Sequence, residues 1–138
     1  MPKGYRLESY LIPSINDLNR LLIRCKLRTH PPNKFKIALT KSYTNLSILD
    51  DNSKLHGFVR ITSDKGLNAN LWDLMAEPGQ NQKLFLSILI NQSLSIIKRE
   101  LPGCSISVSA STFAIEMLEN QGFLIDPGGI KAMAYHLR

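Results

Sequence analysis

The sequence predicts an α/β fold: a mixed, mostly antiparallel central sheet of about six to seven strands flanked by about four helices. Three observations carry this. Runs with period-two alternation and runs with helical period follow one another along the whole chain. Turn-forming clusters at 51–53 and 64–66 divide one region into three consecutive strand-like runs. A long apolar segment of helical period, Lys83 to Glu100, stands between the last of those runs and a further strand, and needs a sheet to cover it.

In chain order, "YRLESYLI" alternates as a first strand, and Pro13 and Ser14 punctuate the chain after it. In "INDLNRLLIRC", Ile15, Leu18, Leu21, Leu22 and Cys25 share one helical face, and Ser14 and Asp17 have capping-box spacing. "THPPNKFKIALTKS" opens with prolines suited to a helix start and carries a short second helix ending near Ser42. "TNLSILDDNSKLHGFVRITSDKGLNANLWDLMAEP" gives three antiparallel strands, with Trp72 expected in the core. The long helix then shows Ser87, Asn91, Ser95 and Lys98 as a narrow polar stripe and ends at Pro102 and Gly103. "CSISVSAS" is a fifth strand. "TFAIEMLENQGF" places Phe113, Ala114, Met117 and Leu118 at helical spacing before Gly122, and "KAMAYHL" closes the chain as a final strand.

The 138 residues are expected to form one domain, 1–138, and with 43% hydrophobic and 20% charged residues the composition is globular rather than disordered. Cys25 and Cys104 stand apart, without a CxxC or a histidine at ligand spacing, so no metal site and no disulfide framework is expected and a reduced cytoplasm is the natural setting. The most apolar run is interrupted by Ser87, Asn91, Gln92, Ser93 and Ser95, which argues against a membrane span. The net charge of +6 is concentrated: between Leu18 and Leu49 there is no acidic residue, while Arg20, Arg24, Lys26, Arg28, Lys34, Lys36 and Lys41 all occur. This is either a solvated basic face or a surface that attracts anions. Phe35 is the one aromatic ring among these cations before Tyr43, so nucleic acid is the least favoured partner. His30, His56 and His136 are scattered and are read as structural or surface residues.

Four local patterns point further. Leu74-Met75-Ala76-Glu77-Pro78 ends the fourth strand, Asn81 to Ile90 opens the long helix, "LHGFVRI" forms the third strand, and "SASTFAIEMLENQGF" leads into the last helix. In this order and at these separations they resemble the GNAT superfamily of acetyl-CoA-dependent N-acetyltransferases over nearly the whole chain. The first is similar to that family's Leu-x-Val-x-Pro and the third to its Gly-Phe-Val. Against its Arg or Gln-x-x-Gly-x-Gly or Ala, Asn81 takes the first position and Leu84 and Leu86 the two glycines, with Ser87, Leu89 and Ile90 matching the helix beyond. Against Asn-x-x-Ala-x-x-Leu-Tyr-x-x-x-Gly-Phe, Ser111 takes the Asn, Ala114 matches, Met117 takes the Leu, Leu118 the Tyr, and Gly122-Phe123 matches.

The resemblance implies a site. Asn81, Gln82, Lys83, Leu84, Phe85 and Leu86 would meet the coenzyme's pyrophosphate at a helix N-terminus, where unpaired N–H groups and the dipole favour anions. Glycine normally lets the backbone come close there, so the leucines imply an ordinary helical turn with the phosphates farther out, or side chains that fill the core. The backbone of Met75 and Ala76 would hold the thioester. Asp73 or Glu77 would be the general base, directly or through water, unless both are simply solvated. Ser111 would hydrogen-bond the pantetheine or cap a helix. Leu118 cannot act as an acid, and Tyr135 could replace it only if the last strand brings it near. The implied function is acetyl transfer from acetyl-CoA to a primary amine on a small molecule or protein. The basic helices favour an acidic acceptor, and a homodimer is compatible. The alternative is a non-catalytic GNAT-fold binding module that has lost tight coenzyme A binding.

Overall fold

A computed structural model describes residues 1–135. Strands β1 (Tyr5–Glu8), β2 (Thr44–Asp50), β3 (Leu55–Ser63), β4 (Asn68–Ala76) and β5 (Ser105–Val108) form one sheet whose spatial order is the chain order. Its first three pairings are antiparallel and β4–β5 is parallel. Helices α1 (Ile15–Arg24) and α2 (Pro32–Lys41) cover one face; α3 (Gln82–Glu100) and α4 (Ile115–Asn120) cover the other.

Local chemistry explains the elements. The Ser14 hydroxyl accepts the Asp17 N–H at 3.1 Å and starts α1, while Pro32 occupies the first turn of α2, where no N–H is needed. Asp64 Oδ1 accepts the backbone N–H groups of Gly66, Leu67 and Asn68 and closes the β3–β4 turn, and those bonds, Asn68's first, hold its carboxyl below the ordinary range. Helix α3 buries Phe85, Leu86, Leu89, Ile90 and Ile97 against Leu46, Ile48, Val59, Ile61, Leu71 and Leu74 of the sheet. Its Asn91, Ser95 and Lys98 are exposed, as the polar stripe requires. On the other face Leu18, Leu21, Leu22, Phe35 and Leu39 pack on Leu49, Leu55, Phe58 and Met75.

The sheet among the described residues has five strands, where the sequence suggested about six to seven. Residues 131–135 are exposed and form no strand, because they have neither a ladder partner nor a face to bury. The rest of "KAMAYHL", with His136, lies outside the described residues. Trp72 is not in the core: its indole N–H donates to Thr62 Oγ1 at 2.7 Å on the sheet surface.

Gly57 sits beneath α3, and a Cβ there would lie 3.2 Å from Leu89 Cδ1 and 3.4 Å from Ile48 Cδ1. Gly57→Val should therefore destabilise the protein by about 1–3 kcal/mol through overpacking, read as a lower urea midpoint.

Candidate active site

The centre of the sheet is shaped by one irregularity in β4. Arg60 pairs with Trp72 and Phe58 with Met75, so Val59 alone faces both Asp73 and Leu74: a β-bulge. Asp73 takes φ +53°, a left-handed conformation that Asp tolerates better than most residues. Pairing of β4 with β5 ends at Leu71 and Val108, immediately before the bulge, and from Trp72 onward the two strands share no ladder. A groove of about 750 Å³ reaches this divergence from the β5 side, lined there by Leu71, Trp72, Val108, Ser109 and Ala110.

Beyond the bulge the backbone alternates. Glu77 N–H donates to His56 O at 2.9 Å, toward β3, whereas the Ala76 carbonyl faces the other way and accepts from Cys25 Sγ at 3.3 Å and Gln82 Nε2 at 2.9 Å. Alternation turns the Ala76 N–H away from β3 as well, toward the side β5 has left. Burial pushes the Cys25 thiol up to about 11, so it serves as a neutral donor there.

Each β4-end carboxylate is paired with a histidine. Asp73 Oδ1 lies 3.0 Å from His30 Nε2, and its Oδ2 accepts from Arg60 Nε at 3.1 Å. His30 belongs to the α1–α2 loop, which is clamped by Asn19: Nδ2 donates to His30 O and Oδ1 accepts His30 N–H, both at 3.0 Å. The ring stands edge-on to Phe35, with centroids 4.6 Å apart. Glu77 Oε1 contacts His56 Nδ1, and Asp50 Oδ2 lies 2.8 Å from His56 Nε2. Two carboxylates flanking one ring can both be satisfied only when both ring nitrogens carry hydrogen. Arg24 Nη2 donates to Leu55 O at 2.7 Å, and its Nε sits 3.2 Å from Glu77 Oε2, out of line for a hydrogen bond.

No family model matches the chain. The uncharacterized N-acetyltransferase ycf52 of Pyropia yezoensis is 34% identical over 111 residues, which take in 78% of this chain and 63% of that protein. The histone acetyltransferase TAP1 of Glycine max is 29% identical over 133 residues, 88% of this chain and 57% of that protein. The chain thus spans about three fifths of the length of these two relatives. Among solved structures, a Staphylococcus aureus protein described as a probable acetyltransferase superposes with a TM-score of 0.84 at 18% identity, over 96% of this chain and 99% of that one. A GNAT-family acetyltransferase of Streptococcus pneumoniae TIGR4 superposes at 0.76 and 16% identity, over 97% and 98%. The chain has the GNAT fold, and the relatives it is similar to are named acetyltransferases.

On this fold the residues singled out from sequence separate. Asn81 is the residue before α3 and makes no side-chain cap; Gln82 ties α3 to β4. Lys83 Nζ pairs with Glu116 at 3.0 Å, an exposed contact. Phe85 and Leu86 are buried in the core, while Leu84, two positions before Leu86, is half exposed. Met75 packs under α1 with its backbone in register with Phe58, which leaves Ala76 as the residue of that pair facing the divergence. Ser111 precedes a short 3₁₀ turn without capping it by its hydroxyl. Leu118 is core, and Tyr135 is exposed outside any strand, so it does not stand in for an acid. None of the predicted site residues lines the 750 Å³ groove.

His30 and His56 are the residues that sequence spacing did not bring forward: the β4 carboxylates they meet lie 43 and 21 positions away, and Asp50, six positions before His56, is reached only across the β2–β3 turn. The β3–β4 hairpin held a signal: with Ser63 opposite Ala69 and one bulge between, the register sets His56 beside Glu77. For His30 no comparable pattern exists.

The hydrogen bond from His56, then that from Lys54 N–H, lowers Asp50 to about 2 from its ordinary 3.8. With the folded value depressed, the stabilisation is complete above 3.8 and disappears as pH falls toward 2. The melting-temperature gap between the parent protein and Asp50→Asn should accordingly shrink across that window in acid titrations, and not between neutral pH and 5.

Proposed function

We propose that the protein transfers an acetyl group from acetyl-CoA to a primary amine. The reading rests on one observation, the divergence of β4 from β5 at the bulge beside the start of α3. Acetyl-CoA supplies an acyl group activated as a thioester. The chain's residues fit it. The Ala76 N–H is placed to donate to a carbonyl oxygen in the divergence, a backbone contact independent of side-chain identity. At the start of α3 the N–H groups of Lys83 and Leu84 precede the first intrahelical bonds and suit a pyrophosphate. Leu86 points into the core and leaves those donors uncovered.

The acceptor is an amine that also carries negative charge. A polar cleft of about 370 Å³ between α1 and the β2–β3 turn is lined by Arg20, Arg24 and Lys54 against the single carboxylate of Asp17. Free thiols at Cys25 and Cys104 suit a reducing compartment, the cytoplasm among them. No helix among the described residues is long and apolar enough to cross a membrane.

A second reading, a binding module without catalysis, has one observation in its favour: Lys83 is already engaged by Glu116. Calorimetric titration with acetyl-CoA separates the two. The first predicts a dissociation constant in the micromolar range, weakened about tenfold by Lys83→Glu, one lost charge contact at about 1.4 kcal/mol. No heat up to millimolar ligand would favour the second.

A further inference from the structure

We propose that His30 is the general base for the acceptor amine and that Asp73 and Asn19 are its positioning residues; this rests on the acetyltransferase reading and names the group that accepts the proton. Asp73 was a candidate base from sequence, but its two oxygens are committed to His30 and Arg60, and it is largely buried. A carboxylate so engaged orients a neighbour instead of collecting protons from solvent. The His30 ring is 39% exposed, and its Nε2 faces Asp73 while Nδ1 has no hydrogen-bond partner among the described residues.

The chemistry follows from the two ring nitrogens. An Nε2–H donated to the Asp73 carboxylate fixes the tautomer in which Nδ1 carries the lone pair. The same division of labour, a carboxylate orienting an imidazole whose other nitrogen takes the proton, recurs in hydrolytic triads. The two bonds from Asn19 and the edge contact with Phe35 hold the loop and the ring. Among its described contacts, His30 meets one charged group, Asp73 of β4, with Arg60 of β3 behind that carboxylate; α1 and α2 present the uncharged Asn19 and Phe35.

The placement is functional in another respect: Asp73 is the bulge residue, so the feature that parts β4 from β5 also carries the carboxylate that orients the base. The step itself is a proton transfer. One N–H bond of the acceptor ammonium breaks, its electron pair stays on the amine nitrogen, and an N–H bond forms at Nδ1. The imidazolium then returns the proton to water.

The test uses two acceptors with acetyl-CoA: ethylamine, protonated at neutral pH, and trifluoroethylamine, largely unprotonated. Thiol release gives kcat and KM, and calorimetry gives coenzyme affinity. His30→Gln should lower kcat for ethylamine about 100-fold or more, the usual worth of a general base, and less than about tenfold for trifluoroethylamine, with acetyl-CoA affinity unchanged. Asp73→Asn keeps a residue suited to the left-handed conformation and should lower kcat for ethylamine without changing KM. Nitrogen-15 NMR of the parent ring should show protonated Nε2 and unprotonated Nδ1, and Asp73→Asn should mix the tautomers. Equal losses for both amines, an unchanged kcat, or Nδ1–H in the parent protein would overturn the assignment while leaving coenzyme binding intact. Failure to bind acetyl-CoA would instead overturn the acetyltransferase reading. Where the parent protein binds the coenzyme but turns over neither amine, the nitrogen-15 spectrum decides: Nδ1–H overturns the base, and unprotonated Nδ1 with protonated Nε2 supports it.

Discussion

The extra residue in β4 is the constraint on which the functional half of the molecule depends. A regular β4 would continue its ladder with β5 past Leu71, and no space would open between the strands. The bulge bends the strand and turns Asp73 toward the α1–α2 loop. It also reverses which side chains meet each face, so Leu71 and Leu74 both reach the α3 core, three positions apart. The energetic cost of a left-handed Asp is set against a hydrogen-bonding contact to His30 and an ion pair with Arg60.

From that constraint the polar architecture divides in two. One arm joins the bulge to the α1–α2 loop through His30; the other joins the end of β4 to β2 and α1 through His56, Asp50 and Arg24. The second is nearly closed to solvent at its histidine and makes its contacts on both ring nitrogens, which suits holding strand ends together. The first leaves one nitrogen open. Burial and saturation distinguish His56 from His30, although the two have similar partners.

Much of the fold was legible because its signals are local. Ser14, the prolines before α2, and Asp64 with Gly66 each act within a few residues of where they stand, and the elements they delimit form at those places. The last strand was not, since a strand needs a partner that no local pattern supplies. The candidate site was legible only in outline. Ala76 and the start of α3 sit where the motifs put them, but the histidine partners are tertiary contacts, and the bulge carries an Asp where a glycine would have announced it. Leu84 and Leu86, alike in the sequence, part company because two steps along a helix turn a side chain to the far side.

The order of the strands has a consequence for assembly. Strands β2 to β4 meet through short turns, so their contacts cost little chain entropy, whereas β5 joins its parallel neighbour only after the whole of α3 has crossed the sheet. The short β4–β5 ladder, like the β1–β2 ladder at the other edge, therefore assembles after the hairpins and opens before them. Amide protons along Ser105–Val108 are therefore expected to exchange sooner than those of β2 to β4, at the edge of the sheet where the site opens.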